Sequence, residues 1–551
     1  MFETIELHRK KIFIALLALF AASLVFRAPT LFVDYYDVDE LAAIVQTHEY
    51  LGGDIPGRDF AESKHPLYHL IFKGAYRISR DYGWVIVHGV AILLVFFTSM
   101  FVFLTGRRVF GFGAGLAGGL MYAVLISSFN RQFMSVNGEI VYNLPLAVGI
   151  YFLVLFLEGK GTVKALAAAG MAVAGTAAAF VKFHGLIFFI FLAFFIVVYW
   201  PYVSGRFSRR YGIALLGAGC AALCLFLFDL FFTEIAVPAI LKNIEGKLFY
   251  ASVRSLNPVI VLGKYIHRQG LLAVWHYVAW VPAAVYLFFF AKRKFRGPTV
   301  SESAVAMYFL IAYIMIFGGG SRLYFHYFMS AYPMLCIVAG GAISLVDVRA
   351  VAHVRRRFAV FLLVPGLFFL AWNTKDAVVR NFFPQAFYEE GKVLYWTRAV
   401  LMGTYNHYLL PEASYRDVCE YIARITAPSD RIFVWGDGPY LYYFSKRRLG
   451  LHHMWPKTGL LKILELYRQG DPVSVANARD REMHWITWME KKKPVLFIDT
   501  SENGLSNFRY PVTPLLREYV ERNYYYLTTV SKMKIYARRG FVIQSSGVMQ
   551  E

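Results

Sequence analysis

"HRKKIFIALLALFAASLVFRAPTLFVDYYDVDE", residues 8–40, runs from a basic cluster through an apolar stretch into a group of carboxylates. Ile12 to Phe26 carries no charge, and with the residues up to Leu31 it is long enough, as a helix, to cross about 30 Å of hydrocarbon. A signal peptide opens in the same way, but no clean small-residue cleavage site follows, and many further apolar runs do. The stretch is the first span of a polytopic membrane protein.

The whole chain agrees. Of its 551 residues, 58% are hydrophobic, 18% aromatic and only 17% charged, well outside the range of a soluble domain. The net charge of +21 raises the possibility of nucleic-acid binding, but the basic residues fall in short clusters between apolar runs rather than on one soluble face. They are topology signals, and no nucleic-acid partner is expected. The four cysteines give no disulfide framework: Cys220, Cys224 and Cys336 lie in apolar runs and Cys419 stands alone in the polar tail.

Apolar runs near residues 12–31, 84–105, 112–129, 139–157, 164–181, 185–201, 211–232, 271–291, 303–318, 328–346 and 358–373 predict about eleven transmembrane helices. With the N-terminus in the cytoplasm, "HRKK", "GRRVFG", "EGKGTVK", "SGRFSRR", "KRKFR" and "RAVAHVRRR" all fall inside, and the short outer loops keep only Arg131, Lys182 and Arg322. The positive-inside rule selects that orientation. It puts two long loops, 32–83 and 233–270, and the tail from 374 on the outer side. Each loop holds an amphipathic segment, "ELAAIVQTHEYL" and "EIAVPAILKNIEGKLFYASV", predicted to be a helix lying in the membrane surface.

The tail, 374–551, is polar and punctuated. "SYRDVCEYIARI" and "PLLREYVERNY" have helical spacing, whereas "DRIFVWG", "KPVLFIDT" and "SKMKIYAR" have strand character, which predicts a small α/β domain.

Chemistry gathers at the outer boundary, where charge is costly to desolvate. Asp34, Asp37, Asp59 and Asp81 are compatible with solvated loops. Asp39 and Glu40 differ, because they open the first amphipathic segment, where the helix dipole favours a carboxylate and the surface faces lipid headgroups; the alternative is a plain helix cap.

"DVDE" (37–40), "GGDIPGRDFAESKHPLYHLIF" (52–72), a second span ending "LTGRRVFG", then "GGGSRLYFHYFMSAYP" (318–333) and "DRIFVWGDGPYLYYFSKRR" (430–448) resemble, in that order, the C-superfamily of membrane glycosyltransferases. Within it the chain is most similar to bacterial members of the protein O-mannosyltransferase clan, which includes the lipid A aminoarabinose transferase. The family's acidic pair corresponds to Asp39 and Glu40, and its Lys-Pro-Pro-Leu-like element to Lys64-His65-Pro66-Leu67, with His65 where many relatives carry proline.

The resemblance implies transfer of one sugar from a polyprenyl-phosphate carrier to an acceptor (lipid A, lipopolysaccharide or capsular glycan, or protein) at the outer, periplasmic face of a bacterial inner membrane. Charge collects on the departing phosphate and an acceptor hydroxyl loses its proton. Asp39 is the candidate general base, assisted by Glu40. An ordinary aspartate, with a pKa of about 3.9, is a weak base; burial and Glu40 would raise it, and Lys64 would lower it. Lys64, Arg254 and Arg322 are candidates for the phosphate, with snorkelling or headgroup contact as the alternative. His326 and Tyr327 in "YFHYF" join them, against a simple aromatic belt. Glu139, Lys182, His184 and His65 are candidates for sugar or acceptor, with helix capping and headgroup anchoring as the alternatives.

No cofactor is implied. His48, His65 and His69 have no metal-site spacing, and the family is generally metal-independent. "VWGDGP" lacks the third glycine and the following helix of a dinucleotide fingerprint. Two rivals remain, a transporter or flippase and a non-catalytic lipid-binding partner. A transporter would place polar residues at mid-membrane, often in two related halves, whereas here the charge lies at the boundary and no halves match.

Overall fold

The computed structural model describes residues 2–56, 58–60, 66–195, 258–292, 299–314, 316, 323–345, 351–382, 412–436, 438–452, 454, 456–501 and 513–543. The predicted span near 211–232 and the second loop's amphipathic segment lie outside these residues. The chain divides into two compact units, one of residues 1–36 and 64–381, the other of residues 37–63 and 382–551. The residues flanking Asp39 thus group with the C-terminal segment.

The first unit is helical. Among the described residues five helices are long and apolar enough to cross a membrane: Arg9–Phe32, Gly83–Phe110, Gly138–Glu158, Thr162–Val181 and Phe325–Leu345. Val261–Trp275 and Tyr277–Lys292 make a sixth if the 103° bend between them lies within one span. The runs read at 112–129 and 303–318 form the shorter helices Phe112–Leu125 and Val300–Ile314, and 358–373 lies inside one long helix, Val351–Phe382.

Small residues set the packing. Gly111, at φ +97°, is the only residue between the Gly83–Phe110 and Phe112–Leu125 helices; a left-handed conformation that glycine adopts without strain lets the chain turn back at once. The hairpin then closes backbone to backbone, since a Cβ on Gly115 would meet the carbonyl of Phe103 at 2.4 Å and one on Gly340 the carbonyl of Ala114 at 2.3 Å. In lipid, where apolar side chains gain little from leaving the solvent, such close approach holds helices together. The first helix lies at the edge instead, with Phe13, Ile14 and Leu17 exposed. Its α-helical part, Phe2–Arg27, ends in Arg27, fully buried, whose guanidinium donates to the carbonyls of Ile126 (3.3 Å), Phe133 (3.1 Å) and Met134 (2.6 Å). A charge at such depth is tolerated because carbonyls satisfy it, and the contacts fix the turn that leads into the site below.

The second unit is built on a five-stranded sheet of order β2-β1-β3-β5-β4, with β1 Arg431–Trp435, β2 Arg448–Leu449, β3 Leu496–Asp499, β4 Tyr524–Val530 and β5 Met533–Arg538. β1 runs parallel to β2 and β3, and β5 runs antiparallel to β3 and β4. Three of these strands lie in "DRIFVWG", "KPVLFIDT" and "SKMKIYAR". The long connection from β1 to β3 that a parallel pair requires contains the helices Pro439–Ser445, Pro456–Gln469 and Pro472–Lys492, the first of which opens at the proline of "VWGDGP", where the sequence reading expected no helix. Phe433, Trp435, Trp485, Met489, Phe497 and Leu516 form its core.

The helix Val38–Leu51 belongs to this second unit, and here the sequence reading needs correction. The apolar residues Leu41, Ile44 and Val45 are buried, while His48, one helical turn on from Ile44 and Val45, is exposed. Gln46, Thr47 and Glu49 are buried as well. A helix lying in the membrane surface would keep its polar residues in water. This one packs against Pro439–Ser445 and β2, so protein rather than lipid covers its apolar side.

Candidate active site

In the first unit the site grows from the ends of three elements. The apolar helix Phe112–Leu125 gives way to Asn130, whose side chain caps the short helix Arg131–Met134 by accepting from the Gln132 amide at 2.9 Å. Asn137 ties the segment together by donating to the Gln132 carbonyl at 2.8 Å, and Tyr68 donates to the carbonyl of Val136 at 2.9 Å. Glu139 then falls in the first turn of Gly138–Glu158, where the helix dipole favours a carboxylate.

Lys182 approaches from another side, as the C-cap of Thr162–Val181, where the dipole favours a cation. The two are ion-paired, with the carboxylate buried and the ammonium nearly so. Gly138 matters here: a Cβ at that position would lie 3.2 Å from Cδ of Lys182, so glycine leaves room for the lysine stem.

The third contribution is "YFHYF". The Lys182 Nζ sits 4.7 Å from the centroid of the Tyr327 ring, and the imidazole of His184 stacks on that ring at 5.7 Å and 26°. His326 packs edge-on to Tyr327 at 4.5 Å, and its Nδ1 lies 3.3 Å from Oε1 of Gln132, which also accepts from the His326 amide at 3.3 Å. Five residues singled out from sequence, Glu139, Lys182, His184, His326 and Tyr327, therefore meet in one place. Their arrangement offers a charge-compensated pair beside aromatic faces, suited to a sugar's hydroxyls and C–H faces.

Of the other candidates, Asp39 and Glu40 occupy the first turn of Val38–Leu51 in the second unit, behind an N-cap in which the Asp37 side chain accepts from the Val38 amide at 2.7 Å. Asp39 is half-buried and Glu40 buried. Lys64, His65, Arg254 and Arg322 lie outside the described residues. Among the described residues no group of three or more His, Cys, Asp or Glu is placed to hold a metal ion.

Sequence reasoning missed two features. Gln132, the bridge to His326, and Arg131, paired with Asp376 at 3.2 Å, lie in the polar triplet Asn130-Arg131-Gln132 that ends an apolar run; that abrupt change was the available signal. The second is a charged network on the Asp39 helix. Glu49 accepts from the Leu449 amide at 2.7 Å and pairs with Arg431 at 3.2 Å and Arg448 at 3.5 Å. Asp54 pairs with Arg431 (2.9 Å), Arg448 (2.9 Å) and Lys492 (2.8 Å). Burial pushes Glu49 up to about 6, a hydrogen bond to Asp54 adding to the rise and the Leu449 amide and two arginines opposing it. Asp54 goes the other way: burial raises it, but hydrogen bonds from Lys492, Arg431 and Glu49 hold it well below the usual carboxylate range.

No protein-family model matches the sequence. No curated protein matches it either. Solved structures do. The crystal structure of ArnT from Cupriavidus metallidurans bound to undecaprenyl phosphate matches with a TM-score of 0.58 at 14% identity, covering 95% of this chain and 97% of that one. The apo structure of the same protein gives 0.52 at 14% identity over the same shares, 95% and 97%. At that identity the likeness is one of fold, and it extends over nearly the whole of both chains. The fold is the one the sequence resemblance implied, that of a membrane-embedded helical protein.

Proposed function

We propose that this chain is a glycosyltransferase that moves a single sugar from a polyprenyl-phosphate donor to an acceptor at the periplasmic face of a bacterial inner membrane. The observation that carries the reading is the fold, matched end to end with a protein whose crystal structure holds undecaprenyl phosphate.

In the proposed step the acceptor oxygen bonds to the anomeric carbon while the bond from that carbon to the phosphate oxygen breaks. The electron pair leaves with the phosphate, and the hydroxyl proton passes to Asp39 as general base. Glu40 positions the acceptor. Lys64, Arg254 and Arg322, with His326 and Tyr327, receive the phosphate, whose growing charge is best met by fixed, partly shielded cations. Glu139, Lys182, His184 and His65 bind sugar or acceptor. The meeting of Glu139, Lys182 and His184 at Tyr327 supports that part of the assignment. No nucleotide or metal is required, and the acceptor is lipid A, another envelope glycan or a protein.

The test is mass spectrometry of lipid-linked sugars and envelope glycans from cells with and without the chain. Loss of one sugar from one acceptor, with its polyprenyl-phosphate form accumulating, is the expected result. Unchanged glycans together with an unchanged lipid pool would contradict it.

A further inference from the structure

The parallel pairing of β1 with β2 aligns Arg431 with Arg448. Strands lie about 4.8 Å apart, so this register sets two guanidinium groups side by side at the edge of the sheet, a repulsive arrangement unless an anion lies between them. β2 is only two residues long, and its second residue, Leu449, donates its amide to a carboxylate from outside the sheet. That carboxylate is Glu49, from the last turn of Val38–Leu51.

The chain around Glu49 is shaped for this contact. Gly52 caps the helix, and a Cβ there would lie 2.9 Å from the Cζ of Arg448, so only glycine leaves the guanidinium its place. Gly53 follows at φ +92° and turns the chain back, so that the Asp54 amide donates to the Glu49 carbonyl at 3.1 Å. The return brings a second carboxylate to the same two arginines and to Lys492.

Asp39 and Glu40 are at the opposite end of this helix, about 15 Å away at 1.5 Å per residue. We propose that Glu49 and Asp54 are positioning residues: they lock the far end of the Val38–Leu51 helix onto the paired arginines of the sheet edge, and so fix where Asp39 and Glu40 are held. The inference deepens the functional reading above and rests on it for its effect on rate. The clamp itself is a physical contact that can be read separately.

Glu49→Ala removes the side chain that accepts from the Leu449 amide and meets both arginines, and Asp54→Asn keeps the shape and removes the charge that meets Arg431, Arg448 and Lys492. Each variant is purified as the full chain in detergent, and amide hydrogen exchange is followed in Val38–Leu51 and, as internal reference, in β3 and β5. Exchange in the helix is expected to rise about tenfold or more while the reference strands stay unchanged. In sugar transfer from a polyprenyl-phosphate donor, kcat of both variants is expected to fall about tenfold with little change in KM for the donor, and Glu49→Gln, which keeps the shape of the protonated carboxyl, to lose less than Glu49→Ala. Unchanged helix exchange, or loosened exchange with an unaltered kcat, overturns the proposal. If the wild-type chain transfers no sugar at all, the functional reading fails, and the exchange arm still decides whether the clamp exists.

Discussion

Lys182, closing one helix, is ion-paired with Glu139, opening another, in a setting where the carboxylate is buried and the ammonium lies over the ring of Tyr327. Each helix dipole supports the charge at its own end, and the pair neutralises both. Deprived of one partner, the other is a buried charge.

That asymmetry is measurable. Lys182→Met or Glu139→Gln alone is expected to destabilise the chain by about 3–5 kcal/mol, and the double variant by clearly less than the two single losses together. Thermal unfolding of the detergent-solubilised protein checks it, with additive losses as the contrary result.

Tyr327 is expected to act through both its ring, which carries Lys182 and His184, and the hydroxyl proposed to meet the donor phosphate. Tyr327→Phe keeps the ring and should raise KM for the donor, whereas Tyr327→Leu also removes about 1 kcal/mol or more of cation–π and stacking contact and should lower stability as well. Steady-state kinetics of the two variants separates a ring from a hydroxyl role.

Gly340→Val tests the close packing of the first unit. Its Cβ would meet the Ala114 carbonyl at 2.3 Å, so the helices must separate, at a cost of about 1–3 kcal/mol or more. A lowered unfolding temperature is expected; an unchanged one would mean the helices do not approach so closely.

Glu49 gives the pH dependence. It faces Asp54, Arg431, Arg448, Lys492 and Tyr442, and its carboxyl is raised from 4.5 to about 6 in the fold, burial being the largest cause. A carboxyl raised on folding holds its proton more tightly there, so its stabilising contribution is complete below pH about 4.5 and is lost as pH rises through about 6. Glu49→Gln should therefore flatten the decline in stability across that window. Asp54, depressed in the fold, acts oppositely and at lower pH: its contribution is present above 3.8 and lost as the solution is acidified further. Unfolding temperatures of wild type and variant from pH 4 to 7 carry the test.

The sequence was most legible where a local pattern sufficed. Long uncharged runs marked Gly83–Phe110, Gly138–Glu158 and Thr162–Val181, and charge or aromatic residues at the ends of such runs marked Glu139, Lys182, His184, His326 and Tyr327. The strands β1, β3 and β5 announced themselves by short apolar runs between turn residues. What stayed hidden was tertiary. Glu49 meets Arg431 382 residues further along the chain, and no spacing within either segment signals the other. For the same reason the buried state of Val38–Leu51 could not be read from its periodicity, since burying Gln46 and Glu49 depends on partners the local sequence does not contain.

The proposed step cleaves a sugar–phosphate ester with the chain's own carboxylate, Asp39, as base. Purified chain reconstituted in liposomes with a polyprenyl-phosphate sugar and envelope glycolipid extract is followed for release of free polyprenyl phosphate. Wild type is expected to release it in step with sugar gained by the acceptor, and folded Asp39→Asn to slow both about 100-fold or more. Undiminished release by folded Asp39→Asn, or none by wild type with any envelope acceptor, would contradict the account.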